Sequence, residues 1–335
     1  MKRDYWPTKD WKISKNQFTE EEKFNLENII KKEYKNIAGI VVVKDGYIKY
    51  ENYFNGHKKD EKYAMASVTK SVLSSLIGIA MKNKSIKTLD EKVLNFFPEY
   101  KTSNPVKKDI RLIDLLTCVA PYPFESINEP IDKLIDSPNW MKYSLDILAD
   151  DKGRRTFKYS TIGTHIVSGI LTKTTGLTAR EYANKELFNK IGMDIIPPYK
   201  MKDYTPNFIF GRHTRGCWLN DPQYYTIGGY GLNLTPREMA KFGFLYLNKG
   251  IWNGIKVLPD NWVEESTTKA KYDYGYLWWL FQYEGMNSYC AMGTGGRCIC
   301  VVPEMDTLVA IVSDYIPKAR NRWIFIKKHI LPILK

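Results

Sequence analysis

The sequence predicts an α+β fold: one antiparallel sheet assembled from both ends of the chain, with a mainly helical lobe inserted between them. Three observations carry this. Strand signals cluster in two places, at residues 38–54 and again at 275–313. The stretch between them, from about Leu89 to Asn207, reads mostly as helices joined by long loops. Helical segments also flank the strands at the two chain ends, where they can cover one face of the sheet. The expected division within a single fold spanning 1–335 is residues 1–66 and 215–335 for the sheet lobe and 67–214 for the helical lobe.

Each element has a local reason. Thr19-Glu20-Glu21-Glu22 is a capping box, a hydroxyl at N-cap and a carboxylate at N3, and opens a helix to about Tyr34. The β-branched run Ile40–Val43 closes at Asp45-Gly46 and resumes at Tyr47–Phe54, which is a hairpin pattern. Val68–Met81 carries apolar residues at 68, 72, 73, 76, 77 and 80, the 3.6-residue period of a helix. Thr178 and Glu181 form a second capping box ahead of a helix over Tyr182–Ile191. The tight loop Gly228-Gly229-Tyr230-Gly231 precedes Thr235-Pro236-Arg237-Glu238, which sets N-cap Thr, N1 Pro and N3 Glu in order for a helix to about Leu247. Four short strands come next, Gly275–Tyr283, Ser288–Met292, Arg297–Val302 and Thr307–Ser313, and an amphipathic helix over Arg320–Leu334 ends the chain.

Composition excludes several classes. With 335 residues, 44% hydrophobic and 26% charged, the chain can bury a core and is not disordered. Val72–Met81 is interrupted by Ser74, Ser75 and Gly78, so nothing approaches the roughly 18–20 apolar residues of a membrane span. No apolar segment follows the basic N-terminus, so a cytoplasmic location is expected. The five cysteines are an odd number without a disulfide framework. The net charge of +13 comes from lysines spread along the whole chain, which describes a solvated surface rather than a nucleic-acid face. No metal site or cofactor is expected. H-E-x-x-H and G-x-x-x-x-G-K-[ST] are absent, and Cys298-x-Cys300 lacks further ligands. The four histidines are scattered, and His165 reads as a packed helix residue rather than a base. The expected partner is a small molecule; the oligomeric state is not specified.

One pattern can carry chemistry. S-x-x-K occurs at Ser67-Val68-Thr69-Lys70 and at Ser266-Thr267-Thr268-Lys269, and chance alone supplies one or two such matches in this composition. Context separates them. Ser67 opens the apolar helix, where free backbone N–H groups and the dipole favour developing negative charge. Lys70 lies one turn on, on the same stripe as Ser71 and Ser74. Buried there, it would lose proton affinity and act as a base near neutrality. Tyr159, in Phe157-Lys158-Tyr159-Ser160-Thr161, stands at the start of another helix, where a cationic neighbour could stabilise its phenolate. Gly293-Thr294-Gly295-Gly296 precedes a strand, so the N–H of Arg297 could complete an oxyanion hole with that of Ser67. Trp140, Trp218, Tyr274, Trp278 and Trp279 are candidate aromatic walls, although Trp278 and Trp279 must face opposite ways on a strand.

Taken in order, MASVTKSVLSSLIGIA, RLIDLLT, FKYSTIGTHIVSGILTKTTGLTAREYANKELFNKIGM, GGYGLNLTPREMAKFGFLYLNKGIWNG and AMGTGGRCICVVPEMDTLVAIVSD resemble the serine β-lactamase and penicillin-binding-protein-like superfamily. The branch is that of class C-like serine hydrolases, including esterases and 6-aminohexanoate-dimer hydrolases. The resemblance implies a β-lactamase/transpeptidase-like fold with its site in the cleft between sheet and helical lobe. It implies Ser67 as the acylated nucleophile, Lys70 as its partner, Tyr159 as general base and acid, and the N–H groups of Ser67 and Arg297 as the oxyanion hole. Thr161, Thr294, Gly295, Gly296, Trp218 and Trp278 are the expected substrate contacts. Two departures stand out: Thr161 replaces an asparagine, and Thr294 replaces a lysine that binds substrate carboxylates. The expected activity is acyl-enzyme hydrolysis of a small ester or amide. A β-lactamase or D-Ala-D-Ala peptidase, and a catalytically weak binding protein, remain as alternatives.

Overall fold

The structure is a computed structural model that describes residues 3–149, 155–199, 205, 209, 216–269 and 272–335. Helix α1 (Glu20–Glu33) starts at the expected capping box, with both reciprocal bonds made. Strands β1 (Ile37–Lys44) and β2 (Tyr47–Tyr53) form the first hairpin. Helix α2 (Val68–Lys82) follows Ser67, α3 (Thr161–Thr175) follows Ser160, and α4 (Pro236–Leu247) follows Thr235. Strands β3 (Trp279–Tyr283), β4 (Met286–Gly293), β5 (Arg297–Val302) and β6 (Thr307–Ser313) precede the last helix, α5 (Arg322–His329).

The six strands form one antiparallel sheet in the order β2-β1-β6-β5-β4-β3. The N-terminal hairpin therefore pairs with the last strand: Val41 lies opposite Ala310 and Val43 opposite Leu308. Alternation along the strands feeds two cores. Ile40, Val42, Val309 and Ile311 pack under α1 and α5. Val41, Val43, Leu308 and Ala310 face α4 and the core that continues into the helical lobe.

Two elements are shorter than expected, for visible reasons. Leu277 takes a left-handed φ of 63°, so the extended run starts only at Trp279. The C-terminal α-helix stops at His329 and ends as a tighter turn over Leu331–Leu334, because Pro332 has no N–H to donate.

Helix α2 positions the site. Val68, Val72, Leu73, Leu76 and Ile77 are fully buried, and the helix packs against β4, β5 and α3. Each such side chain contributes roughly 1.5–3 kcal/mol. That apolar packing can carry a buried polar lysine in its first turn. No described helix is long and apolar enough to cross a membrane.

Candidate active site

Ala66 takes a left-handed φ of 49°, an uncommon conformation for a residue with a Cβ. This kink turns the chain sharply before Ser67, which takes the N-cap place of α2 without using its hydroxyl as a cap. The oxygen is left for other work. Lys70 Nζ lies 2.9 Å from it. The same nitrogen is 3.0 Å from the Gly229 carbonyl and 3.2 Å from Thr161 Oγ1. All three oxygens can accept from the nitrogen; once it is neutral, N–H bonds to Gly229 and Thr161 leave its lone pair for the Ser67 proton. Burial pulls the Lys70 pKa down from 10.5 to about 8, against the opposing pull of the Glu129 carboxylate.

Tyr159 sits at the mouth of α3, its ring under Lys70 with the nitrogen 4.9 Å from the ring centre. Burial pushes its phenol pKa up, and the Ser67 side chain opposes that shift only in part. The lysine faces the ring rather than the hydroxyl, so the expected phenolate is not favoured and the group stays a proton donor at neutral pH. Thr161 supplies one hydroxyl to Lys70 where the related pattern has an amide. It lies beneath the lysine rather than on the cleft wall.

Two contributors have no signal of their own in the sequence motifs. Glu129 accepts from the Ser160 hydroxyl at 2.7 Å, from the Thr161 N–H at 2.9 Å and from the Ile162 N–H at 2.7 Å. A carboxylate thus clamps the three residues that follow Tyr159, at the positive end of α3. It lies about thirty residues upstream in an irregular loop, with no local pattern to mark it. Gly229 is the other. A Cβ there would meet Thr161 Cγ2 at 2.4 Å and Lys70 Nζ at 3.3 Å, so only glycine brings its carbonyl this close. The one available signal is the glycine pair itself, which the spacing explains only as a loop.

The glycine turn needs correction. Gly293 and Thr294 border the cleft together with Ser67, whereas Arg297 does not. The turn reverses the chain, so Arg297 already pairs with Gly293 across the β4–β5 ladder and is buried behind the turn. Its guanidinium donates to the Thr294 carbonyl at 2.8 Å and brings no charge to the cleft. Gly293 is where β4 meets the nucleophile segment: a Cβ there would lie 2.3 Å from the Met65 carbonyl. Gly295 and Gly296 are scaffold. Asn36 Nδ2 holds the Gly295 carbonyl at 2.9 Å, and the Ser313 hydroxyl and Arg322 Nε hold that of Gly296 at 2.8 and 3.2 Å.

The aromatic walls are corrected too. Trp218 is fully buried and donates to the Ile227 carbonyl at 2.9 Å. Trp278 is fully buried against Phe242 and Tyr246. Trp140 and Tyr274 are likewise buried. Trp279, the next residue on the strand, points the other way and stacks on Tyr159, 5.5 Å between ring centres. The cleft of about 440 Å³ is bounded by Ser67, Tyr159, Trp279, Phe281, Met292 and the turn at 293–294.

Other candidates stand apart. His165 pairs with buried Asp221 at 3.1 Å, tying α3 to the loop before Thr226. All five cysteines are buried free thiols, with Cys300 opposite Cys290 on the sheet. Among the described residues no cluster of three or more His, Cys, Asp or Glu is arranged to hold a metal ion.

A kinked serine, a buried lysine and a phenol between a sheet and a helical lobe define the class of an S-x-x-K serine site on this fold. Residues 26–322 match the family described as Beta-lactamase, and the chain belongs to that family. It is 21% identical over 320 residues to the 6-aminohexanoate-dimer hydrolase of Paenarthrobacter ureafaciens, covering 87% of this chain and 76% of that protein. Its fold resembles that of a class C β-lactamase from Rhodobacter sphaeroides, with a TM-score of 0.67 at 18% identity over 95% of this chain and 100% of the other. A family VIII carboxylesterase gives a TM-score of 0.68 at 13% identity, over 96% and 98%. The family match places the chain in the serine β-lactamase superfamily, beside relatives described as a hydrolase, a β-lactamase and an esterase.

Proposed function

We propose that the protein is a serine hydrolase that cleaves a small ester or amide through an acyl-enzyme. The observation that carries this reading is the 2.9 Å contact between Ser67 Oγ and a lysine whose pKa burial brings to about 8. Neutral Lys70 takes the Ser67 proton as the oxygen attacks the carbonyl carbon. The Tyr159 phenol gives its proton to the departing alkoxide or amine. Water then enters and gives a proton to the Tyr159 phenolate as it attacks the acyl carbon; Ser67 Oγ takes its proton back from Lys70 as its bond to that carbon breaks, and the acid is released. Backbone N–H groups of Ser67 and Thr294 receive the oxyanion; Thr294 takes the role first expected of Arg297, since it is the turn residue bordering the cleft.

The neutral cleft wall weighs against a penicillin or D-Ala-D-Ala substrate, because both carry a carboxylate that would need a cationic partner. The test is labelling with a fluorophosphonate, read by intact mass. The wild-type protein should gain one adduct, located on Ser67 by peptide mapping, and Ser67→Ala should gain none. A folded wild-type protein that takes no label and turns over no ester or amide would overturn the proposal.

A further inference from the structure

We propose that the cleft selects substrates whose acyl part is uncharged and apolar, and that Phe281, Met292 and Trp279 do the selecting. The inference builds on Ser67 as nucleophile and adds the substrate class.

Three large apolar side chains stand only partly buried beside a nucleophile, at the edge of the second core. Alternation along β3 puts Trp279 and Phe281 on one face, and Met292 comes from the neighbouring strand β4. Their neighbours hold the rings. Trp279 stacks on Tyr159 and meets the edge of Tyr274 at 4.8 Å, and Phe281 stacks on Trp323 at 5.0 Å. These walls are preformed, and a cleft of about 440 Å³ falls in the range of small-molecule sites.

The polar groups on the wall are uncharged. Thr294 brings a hydroxyl. Asn321 spends its side-chain oxygen capping α5, accepting from the N–H groups of Trp323 at 2.8 Å and Ile324 at 3.3 Å. Three arginines line a smaller pocket that adjoins the cleft at Met292–Thr294 and Asn321, and each already has a partner. Arg322 binds the Gly296 carbonyl, Asn36 and Ser313; Arg297 binds the Thr294 carbonyl; Arg320 pairs with Glu33. A charged acyl terminus held against the Trp279, Phe281 and Met292 wall would lose its water and meet no charged side chain there. A methylene entering it gains contact with three apolar walls.

Two measurements test this. The first is kcat/KM for p-nitrophenyl acetate, butyrate and hexanoate against the 6-aminohexanoate ester and the adipate monoester. Each added methylene should raise kcat/KM about threefold to fourfold, and both charged esters should fall at least about tenfold below the hexanoate. Phe281→Ala and Met292→Ala should flatten the hexanoate-to-acetate ratio within each variant, and Phe281→Leu should restore it. The second uses Ser67→Ala and needs no chemistry: ligand-observed NMR with hexanamide, 6-aminohexanamide and adipic acid monoamide. The neutral amide should bind at least about tenfold tighter than either charged one. Equal or tighter binding of a charged amide, or a flat chain-length series, overturns the inference and leaves Ser67 as nucleophile untouched. Absent labelling of Ser67 with preserved preference for hexanamide would do the reverse.

Discussion

The chain carries S-x-x-K twice, and the two copies end in opposite surroundings. At Ser67–Lys70 the serine opens a 15-residue buried helix, and the lysine points into the core onto Ser67, Thr161 and Gly229. At Ser266–Lys269 the serine ends a five-residue helix and returns its hydroxyl to the Val263 carbonyl. Its lysine sits in solvent, paired with Asp273 at 2.6 Å. The spacing is the same and the chemistry is not. An amine in water keeps its proton, while an amine buried under the Tyr159 ring and between Thr161 and Gly229 gives it up more readily, at a pKa of about 8. The residues on the C-terminal side of the motif, an apolar helical pattern in one copy and a polar stretch of sequence in the other, decide between them.

The largest contrast is expected in acylation rate. Removing a general base typically costs 10²–10⁴-fold, so Lys70→Met should slow fluorophosphonate labelling and ester turnover by about that factor. Lys269→Met should leave both rates within about twofold. Stopped-flow acylation of the two variants reads this directly. Similar losses in both would mean that enclosure is not what separates the copies.

The same contrast explains what was legible in the sequence. Most of the fold was, because β-branched runs, capping boxes and helical periodicity all act over a few residues. Ser67 and Lys70 were legible because their helix shows its buried face in the spacing. Arg297 was misplaced because one turn decides which N–H faces a cleft: counting glycines did not show where β4 ends. Trp278 and Trp279 could not be ordered, since alternation fixes that they oppose each other but not which one faces inward. Glu129 was invisible because its hydrogen bonds reach α3 across a loop, and no periodicity records a contact over about thirty residues.

A finer contrast lies in pH dependence. If neutral Lys70 is the base, kcat/KM should climb about tenfold per pH unit below about 8 and level off above it. The Glu129 carboxylate raises the Lys70 pKa, so Glu129→Gln should move that break to lower pH. The substitution keeps an acceptor for α3 but loses the charge at the helix end, at a cost of about 1 kcal/mol in stability. A stability loss with an unmoved break would make Glu129 a cap and nothing more.

The smallest effect concerns stability itself, and there the two lysines should differ in sign. Lys70 has a folded pKa of about 8 against 10.5 ordinarily, so the unfolded chain holds that proton more tightly. Between those values the unfolded state binds more protons, and stability rises with pH. Below pH 8 the native state bears the full cost, about 3 kcal/mol for a shift of this size. Lys70→Met removes that burden but leaves the Gly229 carbonyl and the Thr161 hydroxyl short of a donor, which returns about 1–2 kcal/mol. The variant should therefore be about 1–2 kcal/mol more stable than wild type at pH 7, with the gain shrinking as pH passes from 8 toward 10.5. Lys269→Met loses only an exposed pair and should cost no more than about 0.5 kcal/mol. Urea midpoints at pH 7 and pH 9.5 separate the cases. A Lys70→Met protein that is less stable at pH 7, or whose difference from wild type ignores pH, would mean that this lysine is not held against its own desolvation.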